Sequence, residues 1–118
     1  MVIELLEKEF KELVFNYEND QEWVFLGNKP AIIDFFAGWC QPCKQIAPVL
    51  EELSNEYEGK IDIYKVDVDK SSYLAQLFGI QSIPTILFIP LEGQPEILVG
   101  GLPKEKFKKA ITEILKIT

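Results

Sequence analysis

A dense apolar run at residues 31–36 narrows the possible folds of this chain more than any other feature. The run reads Ala-Ile-Ile-Asp-Phe-Phe, so both sides of a strand would be apolar except at Asp34. Strands of that composition are buried on both faces, as in sheets that helices cover on each side. The sequence therefore predicts a helix-covered sheet with Ala31–Phe36 as a central strand.

The rest of the chain alternates strand and helix patterns around that run. Hydrophobic periodicity predicts further strands at residues 2–6, 61–68, 85–89 and 96–99, the last two joined as a hairpin. Helices are predicted at 7–15, from Cys40 to a stop at Gly59, at 71–78 and at 104–117. This order indicates an α/β fold in which parallel strands with crossover helices precede an antiparallel pair. No repeat or linker divides the chain, so we interpret residues 1–118 as a single domain.

Length and charge exclude several classes of function. The chain has 118 residues, a net charge of −7 and no histidine. The negative charge repels phosphate backbones and anionic lipid, so we expect neither nucleic acid nor a membrane as a partner. Without histidine there is no His-dependent triad and no His-ligated zinc or haem. No signal-peptide pattern and no apolar stretch of bilayer length is found, so the cytoplasm is the expected compartment.

The segment Trp39-Cys40-Gln41-Pro42-Cys43 carries the most specific chemistry. Two cysteines separated by two residues at the start of a helix can close a small disulfide ring. Unpaired N–H groups and the positive end of the helix dipole favour the thiolate of Cys40, and thiolate is the attacking species. Cys43, one turn further on, would resolve the mixed disulfide. Pro42 suits the first helical turn, where a missing N–H costs nothing.

Metal and haem binding are weaker interpretations of the same cysteine pair. A structural zinc ion needs four ligands, and only a dimer that shares one metal between two such pairs would supply them here. A c-type haem needs histidine after the second cysteine, where this sequence has Lys44. We therefore expect no metal site, and a dithiol that cycles with its disulfide.

Asp34 is the second unusual residue, because a carboxylate inside an apolar strand is costly unless it is paired or protonated. One interpretation places it at an edge of the sheet or at a loop. The other makes it a buried acid with a raised pKa that exchanges a proton with Cys43. Lys65, in the strand pattern at 61–68, is either its charge partner or an ordinary lysine whose stem packs on the sheet.

Pro84 stands at the head of the predicted strand Thr85–Ile89. A trans proline is tolerated at a strand start, and that is the simpler interpretation. The alternative is a cis peptide beside the cysteines, where the backbone of Ile83 pairs with an extended substrate.

Together these segments resemble the thioredoxin family, over almost the whole chain from about residue 31. The matching pieces are Asp34 to Lys44, Pro48, Lys65-Val66-Asp67, Gly79 to Thr85, and Val99-Gly100-Gly101, in that order. The resemblance implies the thioredoxin fold: three layers, α/β/α, with a mixed sheet of four or five strands and four helices. Gln41 stands where the family usually has glycine, Phe36 where it usually has tryptophan, and residues 16–28 form an additional loop.

The resemblance also implies roles for individual residues. Cys40 would be an exposed nucleophile and Cys43 the resolving thiol. Asp34 would be the buried proton acceptor or donor, with Lys65 near it. Substrate-binding residues would surround the cysteines: Trp39, Gln41, Pro42, Ile83, a cis Pro84, Gly100 and Gly101.

The function implied by the family is reduction of protein disulfides through Cys40 and Cys43. A flavin- and NADPH-dependent thioredoxin reductase would restore the dithiol, so we expect this electron-transport protein to carry no cofactor and to be a monomer. Its substrates would be disulfide-containing proteins, and its role redox homeostasis. Two alternatives stay open: a thiol oxidase or disulfide isomerase, whose relatives often carry histidine between the cysteines, and a binding module whose affinity the cysteines switch.

Overall fold

Five strands and four helices alternate along the chain in the order that the sequence predicts. The computed structural model describes all 118 residues. The strands are β1 (Ile3–Glu4), β2 (Ala31–Phe36), β3 (Asp62–Asp67), β4 (Thr85–Ile89) and β5 (Glu96–Val99). The helices are α1 (Glu7–Leu13), α2 (Gln41–Glu56), α3 (Ser72–Leu77) and α4 (Lys104–Glu113). None of these helices is long and apolar enough to cross a membrane.

The strands form one mixed sheet in the order β1-β3-β2-β4-β5. The neighbours β1, β3 and β2 run parallel, whereas β4 is antiparallel to β2 and β5 is antiparallel to β4. The prediction that Ala31–Phe36 is a central strand is confirmed, because β2 is paired on both edges and buried along almost its whole length. This arrangement is the predicted three-layer α/β fold.

Two helices pack on each face of the sheet. On the α2/α4 face, Ile32 of β2 contacts a cluster that includes Leu50 of α2 and Phe107 of α4. On the α1/α3 face, Ile33 contacts a cluster that includes Phe10 of α1 and Leu74 of α3. Successive strand residues point to opposite faces, so an apolar run such as β2 supplies both cores at once.

The additional loop at residues 16–28 packs as an irregular cover on the α1/α3 face. Its Trp23 ring stacks on Phe25 at 9° with 6.4 Å between centres, and lies 4.9 Å from the ring of Phe15. The loop is fastened at its end, where the N–H of Leu26 donates to the carbonyl of Val14. These aromatic side chains explain why a polar-looking segment is held against the core.

Element ends differ from the prediction where a local contact interrupts the pattern. The strand predicted at 2–6 is limited to Ile3–Glu4, because Leu6 becomes the N-cap of α1 and its N–H donates to Glu9. The helix predicted at 104–117 ends at Glu113, and Lys116 then adopts a left-handed φ of 61°. Those last residues were wrongly predicted as helix because their apolar side chains continue the helical spacing.

Candidate active site

The two cysteines lie at the junction between β2 and α2, where the central strand ends and the helix begins. Cys40 is the N-cap of α2 and Cys43 lies in its first turn. They form a disulfide with Cα atoms 5.3 Å apart. The N–H of Cys43 donates to Sγ of Cys40 at 3.2 Å, so an otherwise unpaired N–H of the helix start is directed at this sulfur. This geometry favours negative charge on Cys40 when the disulfide is reduced.

The expectation that Cys40 is exposed is wrong for the disulfide form. Cys40 and Cys43 are each only 4% exposed. Both pack with Ala37 in a small cluster that Ile83 also contacts. The turn that contains Ile83 packs against the cysteines and is distant from them in sequence. The position of Cys40 at a helix start therefore did not predict its burial.

Trp39, by contrast, is 70% exposed beside the disulfide. Its indole Nε1–H donates to Oδ2 of Asp69 at 2.9 Å. Asp69 follows β3 in a turn that Asp67 holds, because Oδ1 of Asp67 accepts from the N–H groups of Asp69 and Lys70. Sequence analysis did not identify Asp69. The signal was available, since parallel β2 and β3 bring their carboxyl ends to the same edge of the sheet.

Asp34 is buried at the centre of the sheet, so the interpretation that placed it at an edge is wrong. It is 4% exposed, and its Oδ1 has no hydrogen-bond partner. Burial raises the pKa of Asp34 from 3.8 to about 7, and the charge of Lys65 opposes that rise. Lys65 pairs with Asp34 in the parallel register and holds its ammonium 5.5 Å from the ring centre of Phe36.

A cavity connects Asp34 with Cys43. It has a volume of about 150 Å³, and its lining includes Asp34, Cys43, Lys44 and Lys65. A second cavity, of about 440 Å³, adjoins the same carboxylate and is lined mainly by α2, together with Lys65 and Val2. A water molecule takes about 30 Å³, so the first space is large enough for a few waters between the carboxyl and the sulfur.

The Ile83–Pro84 peptide is cis, as the family resemblance implied. The carbonyl of Pro84 accepts from the N–H of Gly100 at 2.8 Å, and Gly100 takes a φ of 100° that side chains rarely allow. Gly101 lies against the start of α2, where an added Cβ would be 3.5 Å from Ile46. The turn before β4 and the turn after β5 are thus joined beside the cysteines.

The structure brings most of the predicted site residues to one end of the sheet. Exposed Gln41 and Pro42 lie between the cysteines, with Pro42 in the first helical turn as predicted. No group of three or more histidine, cysteine or carboxylate side chains is arranged to hold a metal ion. What the arrangement offers chemically is a reversible disulfide at a helix start and, connected to Cys43 by a cavity, a buried carboxyl.

This combination of fold and site defines a dithiol–disulfide exchange protein. A sequence model of the family described as Thioredoxin matches residues 2–113. Thioredoxin of Borreliella burgdorferi is 50% identical over 113 residues, which span 96% of this chain and 97% of that protein. Thioredoxin 2 of Chlorobaculum tepidum is 42% identical over 96 residues, which span 81% of this chain and 88% of that protein.

Structural comparison agrees with these sequence relatives. A crystal structure of chloroplastic thioredoxin z superposes with a TM-score of 0.82 at 26% identity, over 98% of this chain and 96% of that one. The chain therefore belongs to the thioredoxin family. It is a protein disulfide reductase, with Cys40 and Cys43 as its redox-active pair.

Proposed function

We propose that Cys40 is the attacking thiol and Cys43 the resolving thiol of this reductase. The observation that carries the assignment is the N–H of Cys43 directed at Sγ of Cys40 at the N-terminus of α2. A thiolate at that position gains a hydrogen bond and the positive end of the helix dipole. Cys43 sits inside the first turn and receives no comparable hydrogen bond.

The exchange proceeds in two balanced steps. The Cys40 thiolate forms a bond to one sulfur of the substrate disulfide, and the other substrate sulfur leaves as a thiolate. Cys43, once deprotonated, attacks Sγ of Cys40, which forms the Cys40–Cys43 disulfide and releases the second substrate sulfur. Two electrons pass from this chain to the substrate.

We assign to Asp34 the proton that Cys43 loses in the second step. A carboxyl with a pKa of about 7 accepts and returns protons readily at neutral pH. The cavity of about 150 Å³ that both residues line gives the proton a path through water. Lys65 acts on Asp34 through its charge, which favours the ionised carboxylate that accepts the proton.

The surface around the cysteines is the proposed binding site for substrate. Trp39 supplies an exposed ring held by Asp69, and Gln41 and Pro42 are exposed between the cysteines. The half-buried Ile83 contacts the cysteine cluster, so its backbone is suited to pair with an extended substrate segment. Cis Pro84, Gly100 and Gly101 complete this surface.

The partners follow from the electron balance. Each turnover leaves the chain oxidised, so an upstream reductase must restore the dithiol, and we propose an NADPH-dependent thioredoxin reductase for that step. The chain itself would need no cofactor, since the sulfur pair carries both electrons. We propose disulfide-containing proteins as substrates, the cytoplasm as the compartment, and a monomer as the working state.

Replacement of single cysteines tests the division of roles. After reduction, Cys43→Ser should accumulate a mixed disulfide between Cys40 and a protein substrate, released by dithiothreitol and visible on a non-reducing gel. Cys40→Ser is the matched control, because it also lacks the internal disulfide, and it should trap far less. Equal trapping by both variants would contradict the assignment, as would no adduct while Cys40 still reacts with iodoacetamide.

The direction of the exchange is tested by the reduction potential of the Cys40–Cys43 pair, followed through Trp39 fluorescence in thiol buffers. A potential near −270 mV, roughly the value typical of thioredoxin, would agree with a reductase despite Gln41. A potential above about −200 mV would instead assign the chain to the oxidases or isomerases.

A further inference from the structure

A cleft on the α1/α3 face brings two tyrosine rings together with two glutamates and a lysine. It has a volume of about 460 Å³, and its lining consists of Glu7, Lys11, Tyr17, Glu18 and Tyr73. Three separate parts of the chain supply these residues: α1, the additional loop at residues 16–28, and α3. We call this feature the tyrosine cleft. None of its residues has a part in the disulfide exchange described above.

The two rings of the cleft lie close together, and one of them is largely accessible. The ring centres of Tyr17 and Tyr73 are 5.3 Å apart, and the ring planes are tilted by 41°. Tyr73 is 49% exposed, whereas Tyr17 is half-buried. The face of an aromatic ring carries negative charge density and attracts cations. This pair of rings therefore offers an accessible surface that favours a positive group.

The cleft already holds one cation from the chain itself. Nζ of Lys11 lies 2.7 Å from Oε1 of Glu18 and 5.9 Å from the ring centre of Tyr17. The hydrogen bond with Glu18 raises the pKa of Lys11, and the charge of Glu7 acts in the same direction. Lys11 thus shows that this combination of ring and carboxylate stabilises a positive charge.

The other half of the cleft has no cation of its own. No ammonium lies over the ring of Tyr73, and Glu7 forms no ion pair. Burial raises the pKa of Tyr17, and the charge of Glu7 raises it further, so this carboxylate lies beside the rings. A partner can therefore place a cation between Glu7 and Tyr73 while Lys11 keeps its place on Glu18.

The charge of this part of the chain favours a basic partner. Residues 1–22 contain seven carboxylates and only two lysines, which is a side-chain charge of −5 in a chain whose net charge is −7. The chain contains no arginine, so a guanidinium in the cleft must come from another molecule. A guanidinium is planar, stacks on aromatic rings and pairs with a carboxylate through two N–H groups, which an ammonium cannot do.

We propose that the tyrosine cleft binds an arginine side chain of a partner protein, with the guanidinium stacked on Tyr73 and hydrogen-bonded to Glu7. The additional loop supplies Tyr17 and Glu18, so the cleft depends on a segment where this chain departs from the pattern of its family. Binding at the cleft involves no sulfur chemistry. The inference therefore goes beyond the proposed function and does not depend on it.

An NMR titration of the ¹⁵N-labelled, oxidised chain tests the proposal. The probe is a blocked five-residue peptide with one central arginine and no cysteine. Two control peptides replace the arginine with citrulline, which has a similar shape but no charge, or with lysine. At low salt we expect the arginine peptide to bind about tenfold more tightly than the citrulline peptide and about threefold more tightly than the lysine peptide. The shifted amides should lie in α1, in residues 16–20 and at the start of α3.

Matched variants then locate the binding. Tyr73→Leu removes the ring and should lower the affinity for the arginine peptide about threefold, whereas Tyr73→Phe retains the ring and should stay near the parent value. Glu7→Gln should also lower the affinity about threefold. Glu12→Gln makes the same change of charge at an exposed position of α1 outside the cleft, and its effect should be clearly smaller.

The remaining outcomes overturn the inference. Equal affinity for the arginine and citrulline peptides would show that the cleft binds no cation, and equal affinity for the arginine and lysine peptides would show that stacking contributes nothing. Equal losses in Glu7→Gln and Glu12→Gln, or shifts centred on Cys40, would place the binding elsewhere. Failure of the proposed function is a separate result, because it is measured as failure of the reduced chain to cleave glutathione disulfide.

Discussion

The two faces of the sheet differ in what packs on them and in which of them carries the buried polar residues of the site. The α1/α3 face is a network of aromatic rings, in which Phe78 contacts the rings of Phe10, Trp23 and Phe35. The α2/α4 face is mainly aliphatic. Asp34 and Lys65 lie two residues after Ile32 and Ile63 and so point to this same face, where two cavities adjoin them.

The two faces therefore have different roles, since the α2/α4 face carries the residues of the exchange and the α1/α3 face contributes mainly to stability. A buried carboxyl and a lysine cannot fill space as a ring does, so the face that carries them keeps room for water near the cysteines. The aromatic face contributes stability through large buried side chains that have no part in the exchange.

Truncation of a buried aromatic side chain on the α1/α3 face should cause the largest loss of stability. Phe10 is fully buried and its ring lies 5.7 Å from that of Phe78, so Phe10→Ala should lower the free energy of unfolding by about 3–5 kcal/mol. Denaturant titration measures this. Leu13→Ala on the same helix, 44% exposed, is the control and should change stability by less than about 1 kcal/mol. A slower disulfide exchange by the folded Phe10→Ala fraction would contradict the separation of the faces.

Replacement of Asp34 should act in the opposite sense on stability. Burial raises its pKa to about 7 from 3.8, so between those values the folded chain binds more protons than the unfolded chain. Stability therefore falls as pH rises through that window and stays low above it. Asp34→Asn should remove this fall and raise the free energy of unfolding at pH 8 by roughly 2–4 kcal/mol, while it slows the exchange.

Asp67→Asn provides the matched comparison for Asp34→Asn. Asp67 is also buried, but its carboxylate accepts two backbone N–H bonds, so loss of its charge should give no gain in stability. A pH-independent free energy of unfolding in the parent chain between pH 4 and pH 8 would refute this account of Asp34.

Lys65→Met should change the pH dependence of exchange and leave the fold intact. The charge of Lys65 lowers the pKa of Asp34, so its removal should raise that pKa further and shift the pH–rate profile to higher pH. At pH 7 less carboxylate is then ionised to accept the proton, and the rate should fall several-fold. Methionine retains the apolar stem over Phe36. An unchanged profile would mean that Lys65 only packs there.

Asp69→Ala should have the smallest effect on stability, because the bond it removes is exposed at the rim of the site. Loss of the Trp39–Asp69 hydrogen bond should cost less than about 1 kcal/mol and free the indole to move. Fluorescence anisotropy of Trp39 should decrease, whereas Asp69→Asn, which keeps a side-chain carbonyl acceptor, should stay near the parent value. Trp23 also emits, so the comparison is made in a Trp23→Phe background.

Local patterns predicted much of this molecule. The bounds of β2, β4 and β5 follow from apolar runs that end at turn residues, and the start of α2 follows from Cys40 and Pro42. The predictions were less accurate where a local contact ends an element early, as at β1, because Leu6 caps α1. Ser71, the first residue of the helix predicted at 71–78, is the N-cap of α3, but its buried hydroxyl has no hydrogen-bond partner.

Sequence patterns predicted the order of the elements, the central buried strand, and the two cysteines at a helix start, because these depend on side chains a few residues apart. The surroundings of those cysteines depend instead on tertiary contacts. Burial of Cys40 beside Ile83, the bond from Trp39 to Asp69, and the raised pKa of Asp34 all join residues that are distant in sequence. Such properties depend on distance and on exclusion of water, which the sheet order establishes when parallel and antiparallel strands bring their ends together.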